Sequence, residues 1–453
     1  MIALDKDVSA LSREDRLSGL HRIIPRHLIR QALKESGKDR SVCCRLPAPF
    51  MVHFVLALGL FCRDCYRQVF RSLRRWTVSG VPGRSTLCEA RKRLGVRPLV
   101  LLARRTVRLL AEHGTPGCFY RDMRLMAIDG FVVDVPDTPV NERVFGRPES
   151  DRGRSAFPQV QVTALCELGT HVIYQWLLKP CTWDERPMAD RLLRFLQSDM
   201  LLLWDRNFFS YDRVKAVIAT GAHLLARINN WPIFRPIQTL SDGSFLAKAY
   251  ANPNDRDHDR DGIVVRIIEY TLDDPNRPGK AEKHRLLTTL LDEKLDPAIT
   301  LIELYHQRWE EELAIDEIKT HELERPALRS QTPAGVIQEL YALLLDHFIV
   351  RVLMFEASRR QEKPLDPRRL SFTGTIKILR CRLPECPKSK AAQRRWWEEL
   401  LEEIGEERIE KRRNRINPRV IKRICSKWRI KRPCHRHYPQ PTKSFREGIV
   451  MLR

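Results

Sequence analysis

Arg124-Leu-Met-Ala-Ile-Asp-Gly-Phe-Val-Val-Asp134 is the stretch on which the fold turns. Up to about residue 115 the chain reads as helical, and near Tyr120 the pattern becomes strand-like. Alternation along this strand puts Leu125, Ala127, Asp129 and Phe131 on one face and sends Asp134 to the other. Asp129 is therefore an acid in the middle of an apolar strand.

Downstream the elements alternate. Gln159 to Glu167 and His171 to Leu178 read as a hairpin around Leu168-Gly-Thr170, and residues 184–198 as a helix opened by Trp183-Asp-Glu. Met200 to Trp204 is a short, fully apolar strand ending at Asp205, followed by a helix over Tyr211 to Thr220 and a strand over His223 to Arg227. This order predicts an α/β layer arrangement. Residues 229–283 break the rhythm. They are rich in Pro, Asn, Asp and Gly and hold strand candidates at Ser244 to Tyr250 and Ile263 to Leu272, a β-rich insertion. The acidic run from Asn254 to Gly262 imitates a calcium loop, but Ile268 stands where a bidentate Glu is required, so it reads as a polar hairpin turn. His284 to Leu291 returns to the core sheet.

Upstream, Ile23 to Glu35 and the run after Pro49 predict helices. Arg84 to Gly95, with Arg91, Lys92 and Arg93 close together, suits the later helix of a helix-turn-helix or an ordinary surface helix. Arg97 to Glu112 predicts another helix. Cys62-Arg-Asp-Cys65 lacks a matched second pair, so zinc is a weak reading. Beyond an apolar helix at Ala334 to Glu356 the chain is basic and helical.

The chain has 453 residues, 43% of them hydrophobic, which suits two or three domains with real cores. Eighty Lys and Arg stand against 57 Asp and Glu, a net charge of +23, and such an excess points to a polyanionic partner. Between Lys411 and Arg432 there are eleven basic residues and no acid. Lys411, Arg412, Arg413, Arg415, Lys422, Arg423, Lys427 and Arg429, with Trp428 interleaved, predict a phosphate-binding segment. The first residues show no secretion signal, and the longest apolar run, Met51 to Cys62, is too short to span a bilayer. A cytosolic protein with reduced cysteines and no membrane partner is expected.

Tyr305-His-Gln-Arg-Trp-Glu-Glu-Glu-Leu-Ala-Ile-Asp-Glu-Ile-Lys319 carries the remaining chemistry. On one α-helix, at about 100° per residue, Tyr305, Arg308, Glu312 and Lys319 share a narrow stripe. Asp205 follows four apolar residues at the carboxyl end of a strand, where ligands gather in open α/β sheets and an unpaired acid is costly. Acids from two strands and a helix, Asp129, Asp205 and Glu312, can converge on divalent metal. Hard oxygen donors suit Mg²⁺, and two ions can serve an in-line phosphoryl transfer. Arg308 and Lys319 would hold phosphate, and Tyr305 and Trp309 would stack on or wedge against an end base.

At these residues the chain resembles the bacterial insertion-sequence transposases of the DDE type, in the insertion-sequence-four family. Tyr305-x2-Arg308-x3-Glu312-x6-Lys319 is similar to that family's third motif at every spacing. Ala127-Ile-Asp129-Gly130 resembles the first and Asp205-Arg206-x-Phe208 the second, with Asn207 standing where a small residue, most often Gly, is usual. The resemblance implies a ribonuclease-H-like core interrupted by the β-rich insertion, and Mg²⁺, with Mn²⁺ as a substitute, on Asp129, Asp205 and Glu312. It further implies a homodimer on double-stranded DNA, acting on terminal inverted repeats and target DNA by hydrolytic nicking and 3′-hydroxyl strand transfer.

The expected organisation is a helical DNA-binding domain at 1–115, a catalytic domain at 116–355 with its insertion at about 229–283, and a basic helical region at 356–453 for DNA contact or dimerisation. The expected location is the bacterial cytoplasm, on the nucleoid. The competing readings are a non-catalytic DNA-binding regulator derived from a transposase, which the intact acid set opposes, and a carboxylate-pair glycosidase, which the charge opposes.

Overall fold

The computed structural model describes residues 16–39, 46–73, 80–150, 153–274, 282–410, 420–421, 429–430 and 441–452. Helices come first: α1 (Arg26–Glu35), α2 (Ala48–Leu60), α3 (Tyr66–Leu73), α4 (Arg84–Leu94) and α5 (Arg97–Thr106). The helix expected to reach Glu112 thus stops at Thr106, and residues 110–111 instead give their backbone N–H groups to the buried Glu167.

Next come β1 (Met123–Asp134), β2 (Gln159–Glu167), β3 (Val172–Pro180), α6 (Glu185–Leu192), β4 (Met200–Trp204), α7 (Tyr211–Ala219) and β5 (His223–Arg227). β1 pairs antiparallel with β2, and β2 with β3; β1 with β4, and β4 with β5, are parallel. The order β3-β2-β1-β4-β5 is the ribonuclease-H-like core that the resemblance implies.

The β-rich insertion lengthens this sheet rather than forming a second body. β6 (Pro236–Thr239), β7 (Phe245–Ala249), β8 (Ile263–Leu272) and β9 (His284–Thr288) add in the order β5-β9-β8-β7-β6, all antiparallel. The acidic run before β8 is a polar connection: Lys248 and Tyr250 donate to Asp259, and Lys215 donates to Asp261.

Helices α8 (Ala298–His306), α9 (Trp309–Asp316), α10 (Pro333–Arg359), α11 (Phe372–Arg382) and α12 (Lys390–Glu406) follow, and β10 (Ile449–Met451) pairs with β8. Period-two alternation divides the sheet into two faces. Met126, Ile128, Leu202, Trp204 and Leu224 pack under α6 and α7. Leu125, Ala127, Leu201, Leu203 and Leu225 pack under Leu301, Ile302 and Leu304 of α8. The face that carries Asp129 is therefore the face that α8 covers.

The early and late helices share one core, in which α1 to α5 pack with α10, α11 and α12. Close approach depends on Gly59 of α2, where an added Cβ would overlap Asp346 Oδ2 of α10. Arg91, expected in a basic DNA-facing trio, is buried: its Nε donates to Gln338 and its Nη2 to Gly335 O. Lys92 and Arg93 of the same helix are exposed. In α12, Glu399 and Glu403 bind Arg382, and Glu398 binds Arg360, so these acids of the acidic run serve the helical layer. Among the described residues no helix is long and apolar enough to cross a membrane.

The element after α9 is held by buried charge. Glu317 accepts from Arg351 Nε of α10 at 2.9 Å and lies 3.1 Å from His347 Nε2 and 3.0 Å from His171 Nδ1 at the β2–β3 turn. Burial pushes the Glu317 carboxyl up, but Arg351 and His171 outweigh it and hold it well below the usual range. Removing one partner of such a set leaves the other charge buried. Glu317→Ala is expected to cost about 3–5 kcal/mol in denaturant unfolding. The depressed carboxyl adds stability above the ordinary Glu value of about 4.3. That stability is lost as pH falls from there toward the folded value, so acid unfolding of the parent should steepen below about pH 4 and that of Glu317→Ala should not.

Candidate active site

Tyr305 to Lys319, expected as one α-helix, is three pieces. α8 stops at His306, and Gln307 N and Arg308 N donate to Leu304 O and Tyr305 O, three residues back. α9 starts at Trp309, and Glu317–Glu322 wind as a π-helix, with Leu323 N donating to Ile318 O. Lys319 falls in this wider turn, so α-helical spacing alone does not fix its direction. Lys319 stands exposed, and the acids whose charge acts on it are Asp134 and Asp316.

Sheet register brings the two strand acids together. Ala127 of β1 is level with Leu203 of β4. Two residues further on, Asp129, midway along β1, and Asp205, just past the carboxyl end of β4, come level on the α8 side. Asp129 Oδ1 accepts from Gly130 N, and Asp205 Oδ1 from Arg206 N, each at 2.8 Å. Arg308 joins the elements, with Nη1 3.9 Å from Asp129 Oδ2 and Nη2 3.4 Å from Glu312 Oε1. Tyr305 donates its hydroxyl to Trp204 O at 3.2 Å, which ties the end of α8 to the residue before Asp205. This bond gives Tyr305 a structural duty that spacing did not reveal.

The three consecutive glutamates of α9 go three ways. Glu310 lies 2.9 Å from His171 Nε2, and Glu312 meets Arg308. Glu311 is fully buried with no hydrogen-bond partner on either oxygen, and it shares charge interactions with Asp129, Glu312 and Asp205. Burial pushes the Asp129 carboxyl up to about 6, and Glu185 and Glu312 add to this while Gly130 N and Arg308 oppose it.

Among the described residues no group of three or more His, Cys, Asp and Glu side chains is gathered closely enough to hold a metal ion. Asp129, Asp205 and Glu312 surround the Arg308 guanidinium instead. The donor chemistry nevertheless fits a divalent cation: the oxygens are hard, the acids outnumber the one arginine among them, and burial, with Glu185 and Glu312 adding to it, raises Asp129. Beside them opens a cleft of about 250 Å³, lined by Tyr305, Arg308 and Glu312 with Arg227, His284 and Phe445.

Of the basic tail, Lys411, Arg412, Arg413, Arg415, Lys422, Arg423 and Lys427 lie outside the described residues. Arg429 opens a two-residue strand (Arg429–Ile430) parallel to Val420–Ile421, where a helix was expected. The cysteines among the described residues are free thiols, with Cys62 buried and Cys65 exposed. Sequence reasoning missed Glu311, Glu185 and Arg227 as neighbours of the site. For Glu185 a signal existed, an acid opening the helix that leads into the strand before Asp205. For Glu311 and Arg227 there was none, since only packing separates them from the other charged residues.

Comparison with known proteins bears on the same residues. A family model described as the transposase DDE domain matches residues 120–349, and one described as the insertion element 4 transposase N-terminal matches residues 14–103. The transposase InsG for insertion sequence element IS4 of Escherichia coli (strain K12) is 27% identical over 423 residues, covering 90% of this chain and 92% of that one. A piggyBac transposase in a synaptic complex with hairpin DNA aligns with a TM-score of 0.42 at 13% identity, over 85% of each chain. With the catalytic-domain match spanning the strands and helices that carry Asp129, Asp205 and Glu312, the chain belongs to the DDE transposase family, of the insertion-sequence-four type.

Proposed function

We propose that this transposase binds the inverted-repeat ends of its insertion sequence, nicks DNA by metal-dependent hydrolysis and joins the freed 3′-hydroxyl to target DNA. The observation that carries the reading is the approach of Asp129 from mid-strand β1, Asp205 from the end of the parallel strand β4 and Glu312 from a helix to the one Arg308. These three carboxylates would hold Mg²⁺, two ions by the in-line precedent, with Mn²⁺ as a substitute. The bound ions supply Lewis acidity to the phosphate and a nucleophile at neutral pH.

The chain's own groups do the rest. Arg308, a fork that meets Asp129 and Glu312, would take a phosphate oxygen that enters beside them. Tyr305 fixes Arg308 and Glu312 relative to β4, and its ring lines the cleft where a terminal nucleotide would lie. Trp309 is assigned to stacking on that nucleotide and Lys319 to a phosphate further along the strand. Residues 1–115 would bind the DNA ends, residues 116–355 would cut them, and residues 356–453 would add DNA contacts or the dimer interface. The basic stretch 411–432 would neutralise phosphates without reading sequence. The active form is taken to be a homodimer on DNA, in the bacterial cytoplasm at the nucleoid.

Glu312→Gln and Asp205→Asn should each reduce Mg²⁺-dependent cleavage of end DNA by at least about 100-fold, with DNA binding retained in a gel-shift assay. Cleavage by Glu312→Gln at the parent's rate would sink the assignment. Saturating Mg²⁺ at about 100 times its Kd should stabilise the parent by about 2.7 kcal/mol, read as a rise in Tm that Asp129→Asn largely abolishes. Deleting residues 411–432 should weaken DNA binding and flatten its salt dependence by about 0.9 in slope for each phosphate that is no longer neutralised. An unchanged slope would remove the tail from the interface.

A further inference from the structure

Glu185 opens α6, but it does not cap that helix. Asp184 is the cap, with Oδ1 accepting from Arg186 N at 2.9 Å and its other oxygen held by the Arg186 guanidinium. The Glu185 side chain instead reaches over the end of the sheet. A Cβ built on Gly130 would overlap Glu185 Oε2 and would lie 2.7 Å from Gln161 Nε2, so the residue after Asp129 is bare where this carboxylate lies. The other oxygen, Oε1, accepts from Asn207 Nδ2 at 2.5 Å. Asn207 stands two residues after Asp205, at the position where the resembling sequences usually have a small residue.

These contacts hold a half-buried carboxylate beside Gly130 of β1 and past the carboxyl end of β4, where it feels the charges of both Asp129 and Asp205. Among the described residues no Lys, Arg or His forms an ion pair with it. A second, independent observation is Glu311, fully buried and unbonded at both oxygens, which adds a further acid beside Asp129, Asp205 and Glu312 with Arg308 as the one cation among them. A chain does not gather acids at this density without a cation to offset them.

We propose that Glu185 is a fourth acidic residue of the active site, giving an oxygen to the divalent cation that Asp129 and Asp205 bind, and that the Asn207 amide orients it. This rests on the assignment of Asp129, Asp205 and Glu312 above. Asn207 is a positioning residue, because it touches the cation only through Glu185. Its side chain turns a departure from the family pattern into a support for the metal site.

The test uses the full-length chain and Mn²⁺ alone as the probe, with free Mn²⁺ followed by electron paramagnetic resonance, and with Mg²⁺ titrations of end-DNA cleavage in parallel. Glu185→Gln keeps the shape and the Asn207 contact but removes the charge. It should raise the Mn²⁺ Kd at least about tenfold and move the Mg²⁺ midpoint for cleavage upward by a similar factor, with DNA affinity and Tm in chelator unchanged. Asn207→Gly should move both in the same direction by about threefold to tenfold, and Glu185→Asp should fall between Glu185→Gln and the parent. Parent-like Mn²⁺ affinity and Mg²⁺ midpoint in Glu185→Gln would overturn the proposal, as would slower cleavage with unaltered Mn²⁺ affinity. Glu312→Gln separates the two levels of the argument. If it abolishes cleavage while Glu185→Gln behaves as the parent, only the role of Glu185 fails; if Glu312→Gln itself binds Mn²⁺ and cuts like the parent, the underlying site assignment fails.

Discussion

One buried carboxylate, Glu317, fixes where the third acid of the site can stand. It receives Arg351 and His347 from α10 and His171 from the turn between β2 and β3. His171 also meets Glu310 through its other ring nitrogen. The helix that carries Glu312 is thereby tied at both ends to the sheet and to the longest helix of the molecule. The cost is visible in the backbone, because His171 adopts φ of 58°, a left-handed conformation that a non-glycine residue reaches at roughly 1–3 kcal/mol.

The sheet sets the other half of the geometry. Parallel pairing of β1 with β4 in a single register brings Asp129 and Asp205 level on the same face. A slip of one residue would turn one acid toward α6 and the other toward α8. The apolar rows on both faces make such a slip costly, since each would move to the wrong cover. Tyr305 closes the triangle through its bond to Trp204 O, which ties the last turn of α8, just before Arg308, to the end of β4.

Much of this was legible in the residues. Alternation from Leu125 to Phe131 gave the strand and its inward face, and the apolar run before Asp205 gave the second strand end. The spacing of Tyr305, Arg308 and Glu312 carried the family. Other readings failed for identifiable reasons. A stripe drawn at about 100° per residue assumes unbroken α-geometry, and the tight turn at Gln307–Arg308 and the π-helix after Asp316 violate it. Arg91 looked like its neighbours Lys92 and Arg93 because charge alone does not reveal which side of a helix meets α10.

By itself, the sequence determined the classes of element, their order, the pairing of acids with strand ends and the basic excess that calls for a polyanion. These follow from local periodicity and composition, which the chain carries without reference to its folded state. Only the tertiary structure decided that the turn carrying Lys319 is π-helical, that Glu311 is buried with neither oxygen hydrogen-bonded and that Glu185 lies over Gly130 beside Asn207. Each of those depends on how distant segments pack, and a side chain's charge interactions fall off over a few ångströms that sequence separation does not measure.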